Sequence, residues 1–205
     1  MPRKASDAEE ALRVAVEAWM RRRWPASRIV HELVLDAGTT RIDLASVGDE
    51  ELRLVELKSA KDVLKRLPGQ IRAATECAHE VWVAIDAKQL DKFNAMKDAE
   101  KGVRWWGVGL LVLRDGVLSE TWQATNAQPD PRRVVQLLWS DEMRTHLIDS
   151  NNQVNMIRRA VDEYGLRHIM RKVCLALKAR PFPRADAAEG KPPVTRFTTK
   201  GAASL

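Results

Sequence analysis

The chain has 205 residues, with 34 lysines and arginines against 28 aspartates and glutamates, and a net charge of +6 at neutral pH. Its 45% hydrophobic and 30% charged residues are typical of a globular protein and exclude a collagen-like, coiled-coil or wholly disordered chain. The longest apolar run, roughly six residues around 108–113, is far shorter than the ~18 that a membrane span needs, and the polar N-terminus lacks a signal-peptide pattern. We therefore expect no membrane partner and a cytoplasmic location.

The basic surplus belongs to the C-terminal part of the chain. Residues 131–205 contain 14 lysines and arginines against 7 aspartates and glutamates, whereas residues 1–130 contain 20 against 21. A chain of this length forms one domain with an appendage or two small domains. Cys77 and Cys174 are too few for a disulfide framework and lack the spacing of a zinc site, so we interpret them as small buried side chains.

The first part of the chain predicts one helix followed by three strands. Ser6 and Glu9 have the spacing of a capping box, which marks a helix start. Apolar residues then recur at helical spacing as a buried stripe; they are Leu12, Ala15, Val16, Trp19 and Met20. Runs rich in β-formers at 28–35, 40–47 and 52–58, separated by turn residues, predict a three-stranded meander.

The following elements extend this sheet. A helix that starts at Pro68 leads to a short apolar run, the kind of strand that a helical crossover places inside a sheet. Asp115-Gly116 is a strong hairpin signal between two later strands. The predicted segments are a helix at 68–78, a strand at 81–85, a helix at 89–99 and strands at 108–113 and 117–122. The order αβββαβ therefore predicts an α/β fold with a mixed central sheet.

Composition divides the chain into four predicted parts. Residues 126–131 have the polar, proline-containing composition of a linker, and the apolar spacing beyond them is helical. After Arg180 the chain has little to bury. We expect an α/β core at 1–125, a linker at 126–131, a basic helical region at 132–180 and a disordered tail at 181–205.

Charged residues interrupt the second and third predicted strands, which are expected to be neighbours in the sheet. Side chains of a strand alternate between its faces, so Glu56 and Lys58 share one face of the third strand. In the second strand the same period puts Asp43 with Arg41 and Ala45, and Ile42 with Leu44. If the two strands are hairpin neighbours, Asp43 lies within ~8 Å of the Glu56 and Lys58 pair.

This grouping has the chemistry of a hard-cation site. The carboxylates of Asp43 and Glu56, with the backbone carbonyl of Leu57, offer oxygen ligands that Mg²⁺ prefers, with Mn²⁺ as a substitute. The Lys58 ammonium can orient or help to deprotonate an attacking water and can neutralise charge that grows on a phosphodiester. The pattern therefore predicts phosphodiester hydrolysis.

These residues resemble the PD-(D/E)XK nuclease superfamily, whose core is αβββαβ and whose signature is an acid on the second strand and Glu-x-Lys on the third. Asp43 and Glu56-Leu57-Lys58 match that signature. The stretches 41–43, 55–59 and 66–70 also resemble small bacterial and phage members of this superfamily, and the similarity continues through Trp105-Trp106-Gly107.

The resemblance implies a restriction-endonuclease-like core in which Asp43 and Glu56 bind metal and Lys58 is catalytic. Gln70 matches the helix glutamine that several nuclease branches keep near the site. The tyrosine that follows this glutamine in branches related to the RecB nuclease is absent. Many members add a third acid as a metal or water ligand, for which Glu32 is the candidate on the first strand and Glu17 or Glu10 on the first helix.

Basic residues outside this signature suggest contacts to DNA phosphates, which are independent of sequence and sensitive to salt. One group follows the Glu-x-Lys strand and consists of Lys61, Lys65 and Arg66. The other lies on the C-terminal helices and includes Arg158, Arg159, Arg171 and Lys172, with Arg167, Lys178 and Arg180 nearby. A solvated surface remains the alternative for both groups. Trp105 and Trp106 either stack on unpaired bases or pack inside the protein.

The sequence therefore predicts a Mg²⁺-dependent deoxyribonuclease, an endonuclease acting in DNA repair, recombination or phage-related DNA processing. The alternative is a catalytically silent module that binds nucleic acid or a protein partner on the same fold. A junction-selective nuclease would be expected to act as a homodimer, because branched DNA offers two symmetric strands.

Overall fold

The computed structural model describes residues 7–35 and 38–189, and Ser6 of the predicted capping box lies outside them. The helices are α1 (Asp7–Arg23), α2 (Leu67–Cys77), α3 (Leu90–Ala99), α4 (Pro131–Val135), α5 (Ser140–His146), α6 (Gln153–Glu163) and α7 (Leu166–Ala179). The strands are β1 (Arg28–Leu35), β2 (Thr40–Val47), β3 (Leu52–Lys58), β4 (Glu80–Asp86), β5 (Gly109–Arg114) and β6 (Val117–Trp122). The bounds of β1, β2, β3 and β6 are those predicted.

The strands form one mixed sheet in the order β1-β2-β3-β4-β5-β6. β1, β2 and β3 are antiparallel neighbours, β3, β4 and β5 run parallel, and β6 returns antiparallel to β5. The last hairpin turns through Asp115 and Gly116, both at positive φ (49° and 79°), as the twist of a two-residue hairpin requires. The predicted α/β fold with an αβββαβ core is confirmed.

Helices cover both faces of the sheet. The α1 stripe packs on one face, against a cluster that includes Leu44, Val55 and Trp82. The other face is covered by α2 and by the C-terminal helices, whose buried residues share a single hydrophobic cluster with the strands. The C-terminal helices are therefore part of the same core rather than an appendage. No helix within the described ranges is long and apolar enough to cross a membrane.

Along β1 and β2, side chains alternate between the two faces of the sheet, and this alternation is interrupted at Glu32 and Asp43, which lie opposite each other. Ile42 belongs to the cluster on the α2 side, whereas Leu44 belongs to the cluster under α1. The prediction that these two residues share a face was therefore wrong. The physical reason is the backbone of Glu32, which has a φ of +60° that few residues other than glycine adopt. Glu32 lies on β1 directly opposite Asp43, so this conformation interrupts the pleat of the β1–β2 pair, and strict period-2 alternation is lost in both strands there.

The segments on either side of the C-terminal helices are held by the fold. In the predicted linker, the amide of Ala127 donates to the carbonyl of His79, and α4 begins at Pro131. Residues 181–189 lie against β1, where Ala185 forms an antiparallel bridge with Val30. They differ from the predicted disordered tail, because polar and backbone contacts hold them and because Phe182 and Ala185 pack against the core. Residues 190–205 of that predicted tail lie outside the described residues. Both cysteines are buried, as predicted.

Candidate active site

The sequence-predicted acids and lysine meet in an open cavity of about 740 Å³. It lies at the end of the sheet where β2 begins and β3 ends, beside the first turn of α2. The predicted residues that line it are Glu32, Asp43, Glu56, Leu57, Lys58, Lys65, Arg66 and Gln70. Three strands, the short turn 64–66 and helix α2 therefore contribute to one site.

Asp43 is held at the point where β2 separates from β3. The pairing of these strands extends to Leu44 and Val55, and beyond it the Leu57 amide donates to Asp43 Oδ2 over 2.9 Å. Asp43 Oδ1 lies 3.7 Å from Nη2 of Arg13. Burial raises the pKa of Asp43, although the Leu57 hydrogen bond and the charges of Lys58 and Arg13 oppose this rise.

Glu56 and Lys58 form a buried ion pair on the α2 side of β3. Lys58 Nζ donates to Glu56 Oε1 and, over 3.1 Å, to Oε1 of Gln70. Glu56 is 2% exposed, and its Oε2 atom has no hydrogen-bond partner among the described residues. Burial, and next the negative charge of Asp43, raise the pKa of Glu56 to about 7.

Gln70 is positioned by the start of α2. Pro68 occupies the first turn, where its missing amide proton is no loss and its fixed φ suits the helix. Gln70 therefore faces the end of β3, and its Nε2 donates to the carbonyl of Arg41 over 3.2 Å. One side chain thus links Lys58 of β3 to the backbone of β2.

The candidates for a third acid fall in different places. Glu32 lines the cavity, but it is half exposed and forms an ion pair with Arg41 at 3.1 Å. Glu17 lies 3.4 Å from the ring of His31, and Glu10 lies 3.2 Å from Arg184, and neither lines the cavity. Glu9 does line it. Of the acids predicted for this role, Glu32 alone reaches the cavity wall.

Sequence reasoning missed Arg13, which supports the site from α1. Its side chain is only 4% exposed, and its guanidinium contacts Glu9 at 3.3 Å, Asp43 and the ring of His31. Its position in the sequence could have indicated this role, because Arg13 lies three residues before Val16 and therefore on the side of α1 that faces the sheet. A buried arginine in such an arc indicates a carboxylate nearby.

The predicted phosphate-binding residues separate into two regions. Lys65 and Arg66 line the cavity, and Lys61 is exposed on the preceding loop. The C-terminal set lies elsewhere. Arg158 and Arg159 are exposed on α6, and Lys172 is half-buried on α7. Arg171 lines a different cavity at the β2–β3 turn, at the opposite end of β2 and β3 from the active-site cavity. Part of the basic surplus is structural, since Arg180 is buried against Glu142 and Lys178 pairs with Asp49.

The chemistry of the site fits a hard divalent cation. Within residues 7–35 and 38–189 no cluster of three or more Asp, Glu, His or Cys residues could hold a metal. Mg²⁺, however, is commonly held by one or two carboxylates and keeps several waters. The N–H and C=O groups of one strand residue point toward the same neighbour, so the Leu57 carbonyl faces the gap that Asp43 enters. Asp43, the unpartnered Glu56 oxygen and Leu57 are thus suitable ligands.

The sequence profile of the family described as bacteriophage P4 protein cII matches residues 3–186. The chain belongs to this family. The match to the bacteriophage P4 protein cII family includes every candidate site residue and the C-terminal helices. No curated protein matches the chain. Among solved structures, SPO1766, a protein of unknown function from Silicibacter pomeroyi, is 19% identical; the similarity covers 65% of this chain and 83% of that one, with a TM-score of 0.45.

Proposed function

We propose that the protein is a Mg²⁺-dependent deoxyribonuclease that hydrolyses phosphodiester bonds with a PD-(D/E)XK-type site. One observation carries the proposal: Asp43, Glu56, Lys58 and Gln70, which come from β2, β3 and α2, line one open cavity with basic residues at its wall. A buried carboxylate with an unpartnered oxygen is costly unless a cation or ligand compensates it. The resemblance to the nuclease superfamily gives the same residues these roles.

The residues of this chain divide the work between metal binding and charge stabilisation. Asp43 and Glu56 would hold the cation with the Leu57 carbonyl, and the cation supplies Lewis acidity to the phosphodiester and lowers the pKa of water. Lys58 neutralises the negative charge that develops on the phosphate and orients the attacking water. Gln70 holds the Lys58 ammonium in place, since its Oε1 accepts from Nζ.

Basic residues around the cavity would hold the substrate backbone. Lys65 and Arg66 line its wall, so they can contact phosphates on either side of the scissile bond without reading sequence. Membership of a phage protein family supports a phage-related setting for DNA processing, within the cytoplasm of the host. The C-terminal arginines Arg158, Arg159 and Arg171 do not line this cavity, so a contact between them and DNA would lie outside it.

The test incubates purified protein with labelled single-stranded, duplex and branched DNA in Mg²⁺ or Mn²⁺. Lys58→Ala removes the proposed catalytic ammonium, and Lys92→Ala removes an exposed lysine of α3 as the matched control. We expect wild type and Lys92→Ala to cut, and Lys58→Ala to be slower by roughly a hundredfold or more. Equal cutting by Lys58→Ala would refute the proposal.

A binding experiment separates the enzyme from a silent module. Mn²⁺ should raise the melting temperature of the wild type by mass action, and Asp43→Ala should lose that response. If no variant cuts DNA, metal leaves the melting temperature unchanged and the protein binds DNA with a steep salt dependence, the binding-module function replaces the nuclease.

A further inference from the structure

The two tryptophans that precede β5 have opposite environments. Trp105 is half-buried, packs edge-on against Phe93 at 5.6 Å and donates from Nε1 to the Glu100 carbonyl over 3.3 Å. Trp106 is 76% exposed. Both belong to one short turn, Trp105–Gly107. Because Trp105 anchors this turn, the large indole of Trp106 is held at the surface.

Trp106 lies on the wall of a second cavity, of about 720 Å³. Arg72 of α2 and Arg104 share this wall, and Arg72 is packed so closely over Gly102 that an added Cβ would lie 2.9 Å from its Nη2 atom. The same wall also contains polar side chains that can form hydrogen bonds with the edge of a base, namely Thr125, Asn126 and Gln128.

The two acidic residues of this wall, Glu76 and Asp130, each have a partner within the protein. Glu76 pairs with Arg133 at 3.0 Å, and Asp130 accepts from the Arg132 amide at the start of α4. Their charges are therefore partly offset by these partners. Arg72 and Arg104 consequently give this part of the cavity an attraction for an anion such as a phosphate.

Helix α2 connects this cavity to the active site. Gln70, near its start, lines the active-site cavity, and Thr75, five residues later, lines the second one. At 1.5 Å per residue these positions are only about 7.5 Å apart along the helix axis. Lys65 and Arg66 lie just before α2 and line the first cavity, and Arg72 lies on α2 and lines the second, so one nucleic-acid strand can pass between the cavities along basic side chains.

We propose that the second cavity binds an unpaired nucleotide of the substrate strand, with the Trp106 ring stacked on its base and Arg72 and Arg104 at its phosphates. The inference rests on the proposed nuclease function, since it names the substrate of that site as single-stranded or frayed DNA. Every base has a face on which an aromatic ring can stack, so the site tolerates any sequence. A paired base inside a duplex offers no such face.

The test measures the affinity of the full chain for a fluorescent oligothymidylate and for a blunt duplex, in EDTA, by anisotropy. Trp106→Ala should weaken oligothymidylate binding on the order of tenfold, as the loss of one base–aromatic stack does, and should change duplex binding by less than about twofold. Trp106→Phe should retain most of the affinity. Arg104→Gln should weaken binding, while the exposed Arg114→Gln at the end of β5 serves as its control.

The outcomes distinguish this inference from the proposed function. Unchanged oligothymidylate binding in Trp106→Ala, an equal loss for duplex, or no binding by the wild type would overturn the nucleotide site and favour a protein partner for Trp106. Lys92→Ala, the exposed control on α3, should bind the oligonucleotide as the wild type does. If DNA is never cut but binding still depends on Trp106, the nuclease function fails and the nucleotide site stands.

Discussion

Replacing Glu56 with glutamine should change how stability depends on pH. Burial and Asp43 raise the pKa of Glu56 from 4.5 to about 7, which corresponds to on the order of 3 kcal/mol in favour of its protonated form. Between these two values the folded state binds more protons than the unfolded state. The free energy of unfolding therefore falls as pH rises from about 4.5 to 7. Glu56→Gln removes this titration and keeps a carbonyl oxygen for Lys58.

The assay is urea unfolding of both proteins in EDTA at pH 5 and pH 8, followed by circular dichroism. Relative to the wild type, Glu56→Gln should gain on the order of 3 kcal/mol between these two pH values, or about 6 to 12 °C in melting temperature for a chain of this size. Glu163→Gln, an exposed position at the end of α6, is the control and should gain nothing. Parallel pH profiles for wild type and Glu56→Gln would refute the claim that burial and Asp43 raise the pKa of Glu56 despite its ion pair with Lys58.

Three further changes test other parts of the fold. Arg180→Leu leaves the fully buried Glu142 without its cation. The free energy of unfolding should fall by about 3–5 kcal/mol, or the melting temperature by about 6 to 20 °C. Changing both Arg180 and Glu142 to leucine should recover most of this loss. Gly109→Ala should destabilise by about 1–3 kcal/mol in urea unfolding, because its Cβ would lie 2.2 Å from the Trp82 ring; an unchanged midpoint would contradict that contact. Burial lowers the pKa of His31 to about 4, so stability should decline as pH falls from 6.5, and His31→Gln should flatten that decline in unfolding measured at pH 4.5 and 7.5.

The strands and the core of the site could be predicted because their signals are local. Alternation and turn residues determine the bounds of β1, β2 and β3, and Glu56 and Lys58 share a face simply because they are two residues apart. The Asp115-Gly116 turn likewise acts within its own hairpin. Nothing distant was needed to place these residues.

Features that depend on contacts between distant segments were not predictable. The segment 181–189 is held by Asp186, which accepts hydrogen bonds from the Arg28 side chain and the Ile29 amide of β1, and by Phe182 and Ala185, which pack against the core. Arg13 is fixed by partners on α1, β1 and β2 that no local pattern joins. Arg180, one of the C-terminal basic residues that the sequence places near a DNA surface, instead forms a buried ion pair with Glu142.

Ile42 and Leu44 lie on opposite faces of the sheet, and this interruption of the alternation explains why the site forms where it does. The positive φ of Glu32 changes the phase of β1 opposite Asp43, and the β2–β3 pairing extends only to Leu44. This leaves the Leu57 amide without a β2 carbonyl, and the Asp43 carboxylate takes that role. The sheet therefore opens at the carboxyl end of β3 without an unsatisfied donor, and the gap presents the Leu57 carbonyl beside two carboxylates. A regular ladder through Asp43 would have paired those backbone groups and left no room for a cation or a phosphate.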